Sequence, residues 1–226
     1  MKKIAITQSN YIPWKGYFDL INRVDECVLF DDAQYTKRDW RNRNKIKTAN
    51  GLKWLTIPVS VKGKYFQKIN ETNIIDSGWA NTHWSIIKQA YSKTKFFKDY
   101  SEIFENFYLN SNHKKLSDIN YVLIKIICEI LSIDTKITSS TDYILVEGKT
   151  EKLLHICKQA DAGIYISGPA AKDYFDISLA NKMDIKVQWM DFTNYKEYNQ
   201  LHMPFEHSVS ILDLIFNEGP NAKDFF

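Results

Sequence analysis

The sequence predicts an α/β fold, a mainly parallel Rossmann-like sheet with a helical insertion in its middle. Three observations lead there. Short apolar runs recur near both ends of the chain: Ile4–Ile6, "ECVLFDD" at 26–32, "GIYIS" at 163–167 and "IKVQWM" at 185–190. Runs of this length read as strands buried on both faces. Segments of helical periodicity alternate with them, as parallel sheets require. Between these two α/β parts, about 79–131, the pattern is helical throughout.

Each element follows in order. Ile4–Thr7 is a strand, and Gly16–Asn22 opens a helix with Tyr17, Leu20 and Ile21 on one face. Residues 26–32 form a second strand ending in two acids. The stretch 31–47 reads as the loop after it, and Asn50-Gly51 is a turn signal. "KWLTIPVS", 53–60, alternates but contains Pro58, which favours an edge strand. Trp84, Ile87, Lys88 and Tyr91 share a helical face; so do Tyr100, Ile103, Phe104 and Phe107. In 116–131, Ile119, Leu123, Ile126, Ile127 and Ile130 recur at helical spacing. Thr150 caps a helix through Ala160, Ser178–Met183 is helical, and a last helix follows the loop containing His202 and His207. The chain reads as a single domain, 1–226, without repeats or low-complexity tracts.

The totals narrow the function. With 226 residues the chain can bury a sizeable core, and 44% hydrophobic with 25% charged residues is ordinary for a globular protein. A net charge of +3 is too small to argue for nucleic acid from totals alone, so the location of the charge must decide, and only the basic cluster at 31–47 favours that partner. Cys27, Cys128 and Cys157 lack C-x-x-C spacing, and an odd number cannot all pair, so a reducing compartment is expected. The start, "MKKIAITQSN", has too short an apolar run for a signal peptide, and no stretch approaches the ~20 apolar residues of a membrane span. A cytoplasmic protein is the expectation.

Ligands of open α/β sheets bind beyond the carboxyl ends of strands. Three unusual stretches are expected there. The first follows strand one and carries Gln8, Asn10, Tyr11, Trp14, Gly16 and Tyr17. The second, 31–47, carries Asp31, Asp32, Gln34, Tyr35, Lys37, Arg38, Asp39, Trp40, Arg41, Asn42 and Lys45. The third, "SGPAAKDYF" at 167–175, carries Ser167, Gly168, Asp173 and Tyr174. Arg38 and Arg41 are expected to grip phosphate bidentately, and the aromatics to stack on bases or sugars. Asp31 and Asp32 suit either a magnesium ion or sugar hydroxyls; no metal site and no cofactor is assigned. A solvated, salt-bridged loop is the plain alternative for 31–47, and a tight strand-to-helix turn for 167–175. Asp31, Asp32 and His202 are the candidate proton acceptors. His83, His113 and His155 lie on helical patterns that suggest packing. Walker A, G-x-S-x-G, H-E-x-x-H and G-x-G-x-x-G patterns are all missing.

"TQSNYIPWKGYFDLI", "LFDDAQYTKRDWRNRNKIKTANGLKWLTIPV", "KQAY", "YISGPAAKDYF" and "LHMPFEHSVSILDLIFNEGP" together resemble the WbqC-like family, in order and over essentially the whole chain. Ser9 stands where proline is expected, and two alanines follow Pro169 where glycines are common. The resemblance implies a role in bacterial surface-polysaccharide (O-antigen) biosynthesis, with nucleotide-linked or lipid-linked sugars, often amino sugars. A superfamily-level likeness also links "WKGY" to the H-x-G-H of nucleotidylyltransferases (HUP-like folds), which places it at the same strand-to-helix turn. Both histidines of that signature are replaced, by Trp14 and Tyr17, so adenylylation chemistry is in doubt.

Two classes of function follow. The first is an enzyme, an acyl or aminoacyl transferase or amide ligase acting on a nucleotide-linked amino sugar, with a glycosyltransferase ranked below it. The second is a non-catalytic nucleotide-sugar-binding or assembly protein. The 14–17, 31–45 and 167–174 stretches are expected to meet around one cleft. Oligomeric state is left open.

Overall fold

A computed structural model describes residues 1–76 and 78–226. Strand β1 (Lys3–Thr7) leads through helix α1 (Lys15–Asn22) into β2 (Glu26–Leu29). A hairpin, β3 (Arg43–Thr48) and β4 (Gly51–Thr56), precedes three long helices: α2 (Trp79–Tyr91), α3 (Phe97–Asn110) and α4 (Leu116–Ile130). The chain then returns to alternation with β5 (Lys136–Ser139), α5 (Lys149–Gln159), β6 (Ile164–Ser167), α6 (Ile177–Lys182), β7 (Lys186–Trp189) and finally α7 (Ile211–Glu218). Among the described residues no helix is long and apolar enough to cross a membrane.

The five-stranded sheet runs β5-β2-β1-β6-β7, and every neighbouring pair is parallel. Counted along the chain this is the order 3-2-1-4-5 of doubly wound sheets, with the reversal between β1 and β6. Alternate residues of each strand face opposite layers. Ile4, Ile6, Val28 and Tyr165 pack with Leu154, Ile156 and Cys157 of α5 and Ala180 of α6. Ala5, Cys27, Leu29 and Ile166 pack in a second cluster with Phe18 and Ile21 of α1 and with α4. That cluster also holds the helical middle. Phe216 of α7 contacts Phe97 and Phe104 of α3, with centroids 5.0 and 5.6 Å apart.

Three expectations are corrected. The second half of the 31–47 stretch is a strand, because Asn44 and Ile46 point inward and pair with β4 across a tight turn. The edge strand expected at 53–60 begins earlier, at Gly51, whose φ of 96° closes that turn. The sheet gains β5, which the sequence reading lacked. After β6 the chain makes a short 3-10 turn, Pro169–Asp173, and the next helix waits for the side chain of Asp176 to cap Leu179.

Candidate functional site

The first two candidate loops close over the carboxyl ends of β1 and β2 and are bonded to one another. The Tyr11 amide donates to the Trp40 carbonyl at 3.0 Å. The Ser9 amide donates to Asp31 Oδ1 at 2.9 Å. Arg41 donates to Asn10 Oδ1 and reaches Asp39 at 3.5 Å. Asn120 of α4 ties the pair from behind, donating to Ser9 Oγ and to the Arg41 carbonyl. Residues 9–11 of the first stretch and 31–41 of the second therefore share one region.

Two cavities flank this seam. The larger, about 580 Å³, is lined by the carboxylates of Asp31, Asp32, Glu71 and Asp118 and by Lys68 and Lys115 among others. It opens beside the amino end of α4, where Asp118 in the first turn already meets the helix dipole. The smaller, about 260 Å³, is lined by Asn10, Pro13, Trp14, Trp40, Asn44 and Ser208.

The two aspartates of "FDD" have opposite electrostatics. Asp31 is only 5% exposed, and burial pushes its carboxyl above the ordinary value; the Ser9 hydrogen bonds and the Arg41 charge restrain the rise. Burial also works against ionisation of Asp32. There the ion pair with Lys68 at 2.9 Å and the Ser140 hydroxyl at 2.9 Å outweigh it and hold the carboxyl low. Asp32 is thus the anion of the pair and Asp31 the better proton acceptor. His202 lies elsewhere, in a 470 Å³ cavity at the turn end of the β3–β4 hairpin with Asn50 and Lys93. That cavity shares no lining residue with the aspartates.

The remaining candidates divide by burial. Trp14 is half-buried, edge-on to Phe192 at 5.3 Å and Tyr195 at 5.8 Å. Gly16 lies under its indole: a Cβ at Gly16 would stand 2.4 Å from Trp14 Cζ2. The close approach that the glycine permits is to this ring. Tyr17 is buried, with its hydroxyl on the Gln8 carbonyl at 3.1 Å. Tyr11 is fully buried, and its hydroxyl joins His83 Nδ1 at 2.8 Å and Tyr108 at 2.7 Å, so it belongs to the core. Tyr35 is buried, and Asn42 donates inward to the Ile57 carbonyl. Gln34 donates to the Tyr65 carbonyl at the surface. Lys37 and Arg38 are exposed, Lys45 is half-buried on β3, and the Arg38 carbonyl accepts from Arg43. Arg41 is largely buried; its two terminal nitrogens go to Asn10 and Asp39, while its buried Nε has no hydrogen-bond partner among the described residues. The third stretch arrives only at its start. Ser167 is buried, and Gly168 approaches Phe192, which in turn meets Trp14. Asp173 and Tyr174 are exposed and line neither cavity.

Sequence reasoning passed over Lys68, Asn120 and Lys15. Lys15 sits inside the "WKGY" stretch but was masked by its aromatic neighbours. It is buried, donates to the Lys196 carbonyl at 2.8 Å, and lies over the rings of Tyr195 and Tyr198 at 5.2 and 5.4 Å. Burial lowers its amine to about 8, against the pull of Glu197.

Comparison with known proteins agrees with this layout in extent. Residues 8–225 match the WbqC-like protein family. The Uncharacterized protein Rv1507c of Mycobacterium tuberculosis is 50% identical over 225 residues, which span 100% of this chain and 97% of that one. No solved structure matches significantly. The chain belongs to the WbqC-like protein family.

Proposed function

We propose that this protein is a cytoplasmic enzyme of surface-polysaccharide biosynthesis that acylates the amino group of a nucleotide-linked amino sugar. The observation that carries the reading is the unlike pair Asp31 and Asp32 on one cavity of about 580 Å³. Amide formation needs a neutral amine, and a carboxylate raised above its ordinary range accepts a proton more readily than a free one. The amine nitrogen attacks the carbonyl carbon of an activated acyl donor, a thioester or a mixed anhydride. A C–N bond forms, the leaving group departs with its electron pair, and the amine proton passes to Asp31. Asp32, held ionised by Lys68, orients the ammonium or the sugar hydroxyls. Lys68 and Lys115 share the lining with four carboxylates, Asp31, Asp32, Glu71 and Asp118, a balance that favours the sugar's ammonium over a phosphate. The strand order supports a fold of the nucleotidylyltransferase kind with its usual chemistry replaced.

A second reading, a nucleotide-sugar-binding protein, draws support from the cysteines. All three are buried, and burial raises each thiol, so none suits a covalent step. Calorimetry separates substrates by chemistry. A nucleotide-linked amino sugar is expected to bind at least about tenfold more tightly than its hydroxyl counterpart, the worth of one charge-assisted hydrogen bond. Equal affinities would count against an amino-sugar site.

A further inference from the structure

We propose that the cleft between Trp14 and Trp40 binds a nucleobase, and so holds the nucleotide end of the substrate. This rests on the nucleotide-sugar reading above but not on its chemistry. The cleft measures about 260 Å³, and two of the six described residues that line it are tryptophans. Both walls are fixed. Trp14 is clamped between the Gly16 backbone, Phe192 and Tyr195. Trp40 is pinned through its backbone, its amide donating to Asp39 Oδ1 at 2.7 Å and its carbonyl accepting from Tyr11. Behind it stands Trp54 at 5.5 Å, with the Arg43 guanidinium 4.1 Å from the Trp54 ring centre. Trp40 is nevertheless 41% exposed. An exposed aromatic ring packed on a second one is a stacking platform.

The polar groups of the cleft decide between a base and a sugar. Asn44 is fully engaged: Nδ2 donates to the Tyr11 and Ile12 carbonyls, and Oδ1 accepts from the Lys45 amide. Asn10 Oδ1 is taken by Arg41. Asn10 Nδ2, the Trp14 and Trp40 indole N–H groups and the Ser208 hydroxyl are the polar side-chain groups left for a ligand among the described lining residues, and three of the four only donate. A pyranose can also lay a face on an indole, but its several hydroxyl hydrogens would meet one side-chain acceptor, Ser208, and leave most unpaired, which is costly out of water. A base offers two π faces and needs only one or two bonds at its edge. Asn10 is also the residue that touches Arg41, next along the chain from Ser9 on Asp31.

The test is calorimetric titration with the four common nucleoside monophosphates and, separately, with methyl glycosides of amino hexoses. At least one monophosphate is expected to bind, the free glycosides not at comparable concentration. Trp40→Ala should weaken the monophosphate at least about tenfold, the typical loss for one stacking ring, and Trp40→Phe should restore most of it. The proposal is overturned if no monophosphate binds. It is equally overturned if a free glycoside binds instead, or if Trp40→Ala binds like wild type. Lost monophosphate binding with acyl transfer intact contradicts the cleft alone. Retained binding without acyl transfer contradicts the chemistry alone.

Discussion

Replacing Gly16 by alanine sets two effects of known size against each other. Alanine in a helical turn is favoured over glycine by about 0.5–1 kcal/mol. The added Cβ, however, would stand 2.4 Å from Trp14 Cζ2 and 2.8 Å from Cε2, where ordinary contact begins near 3.4 Å. The ring must retreat by about an ångström, away from Phe192 and Tyr195, whose edge contacts are each worth about 0.5–1.5 kcal/mol. Losing most of both contacts outweighs the propensity gain and leaves a net loss of about 1–2 kcal/mol. For a chain of this size that is a fall in Tm of about 2–8 °C. Thermal and urea unfolding of wild type and Gly16→Ala measure it. A variant as stable as wild type, or more so, would show that the indole moves freely and that Gly16 does not hold the cleft wall in place.

Two further outcomes test the electrostatics. Burial lowers His83 from 6.5 to about 4, so as pH falls through that window the unfolded chain gains a proton that the folded one refuses, and stability drops. Burial raises Asp213 from 3.8 to about 6, despite hydrogen bonds from Tyr198 and Tyr91. The folded chain therefore takes that proton first, and stability rises as pH falls from 6 to 3.8. Each effect amounts to about 3 kcal/mol and they oppose. Asp213→Asn should unmask a loss of about 3 kcal/mol in urea unfolding between pH 6.5 and 4 relative to wild type, and parallel curves would contradict it. Lys68→Ala should cost under about 1 kcal/mol, because the lysine is largely solvated. It should nevertheless raise the Asp32 carboxyl, read by NMR titration, and an unmoved carboxyl would refute the pairing.

The sheet was legible where strands are buried on both faces, as with Ile4–Ile6 and residues 26–29, whose apolar character owes nothing to distant partners. Strand β5 offers only Ile137 as a buried apolar side chain in "KITS", and its place beside β2 depends on long-range pairing. Strand β3 was hidden by Arg43, Lys45 and Lys47, while the inward row includes Asn44, whose bonds to the Tyr11 and Ile12 carbonyls are invisible in sequence. The same holds for the site. That Asp31 and Asp32 end a strand could be read directly. That one is raised and the other held low depends on Lys68 and Ser140, brought to Asp32 from far along the chain. Tyr11 looked like a ligand surface because an aromatic in a loop usually is one, but His83 and Tyr108 satisfy its hydroxyl inside the core.

The central claim is that Asp31 takes the amine proton during acyl transfer. Purified protein is incubated with a nucleotide-linked amino sugar and an acyl thioester, and the acylated product is quantified by mass spectrometry across pH. Wild type should form amide at a rate governed by a group titrating above the ordinary carboxylate range. Asp31→Asn keeps the size of the side chain and removes its basicity, so it should bind the nucleotide yet lose at least about a hundredfold in turnover, the low end of general-base catalysis. Turnover by Asp31→Asn at the wild-type rate would contradict the account.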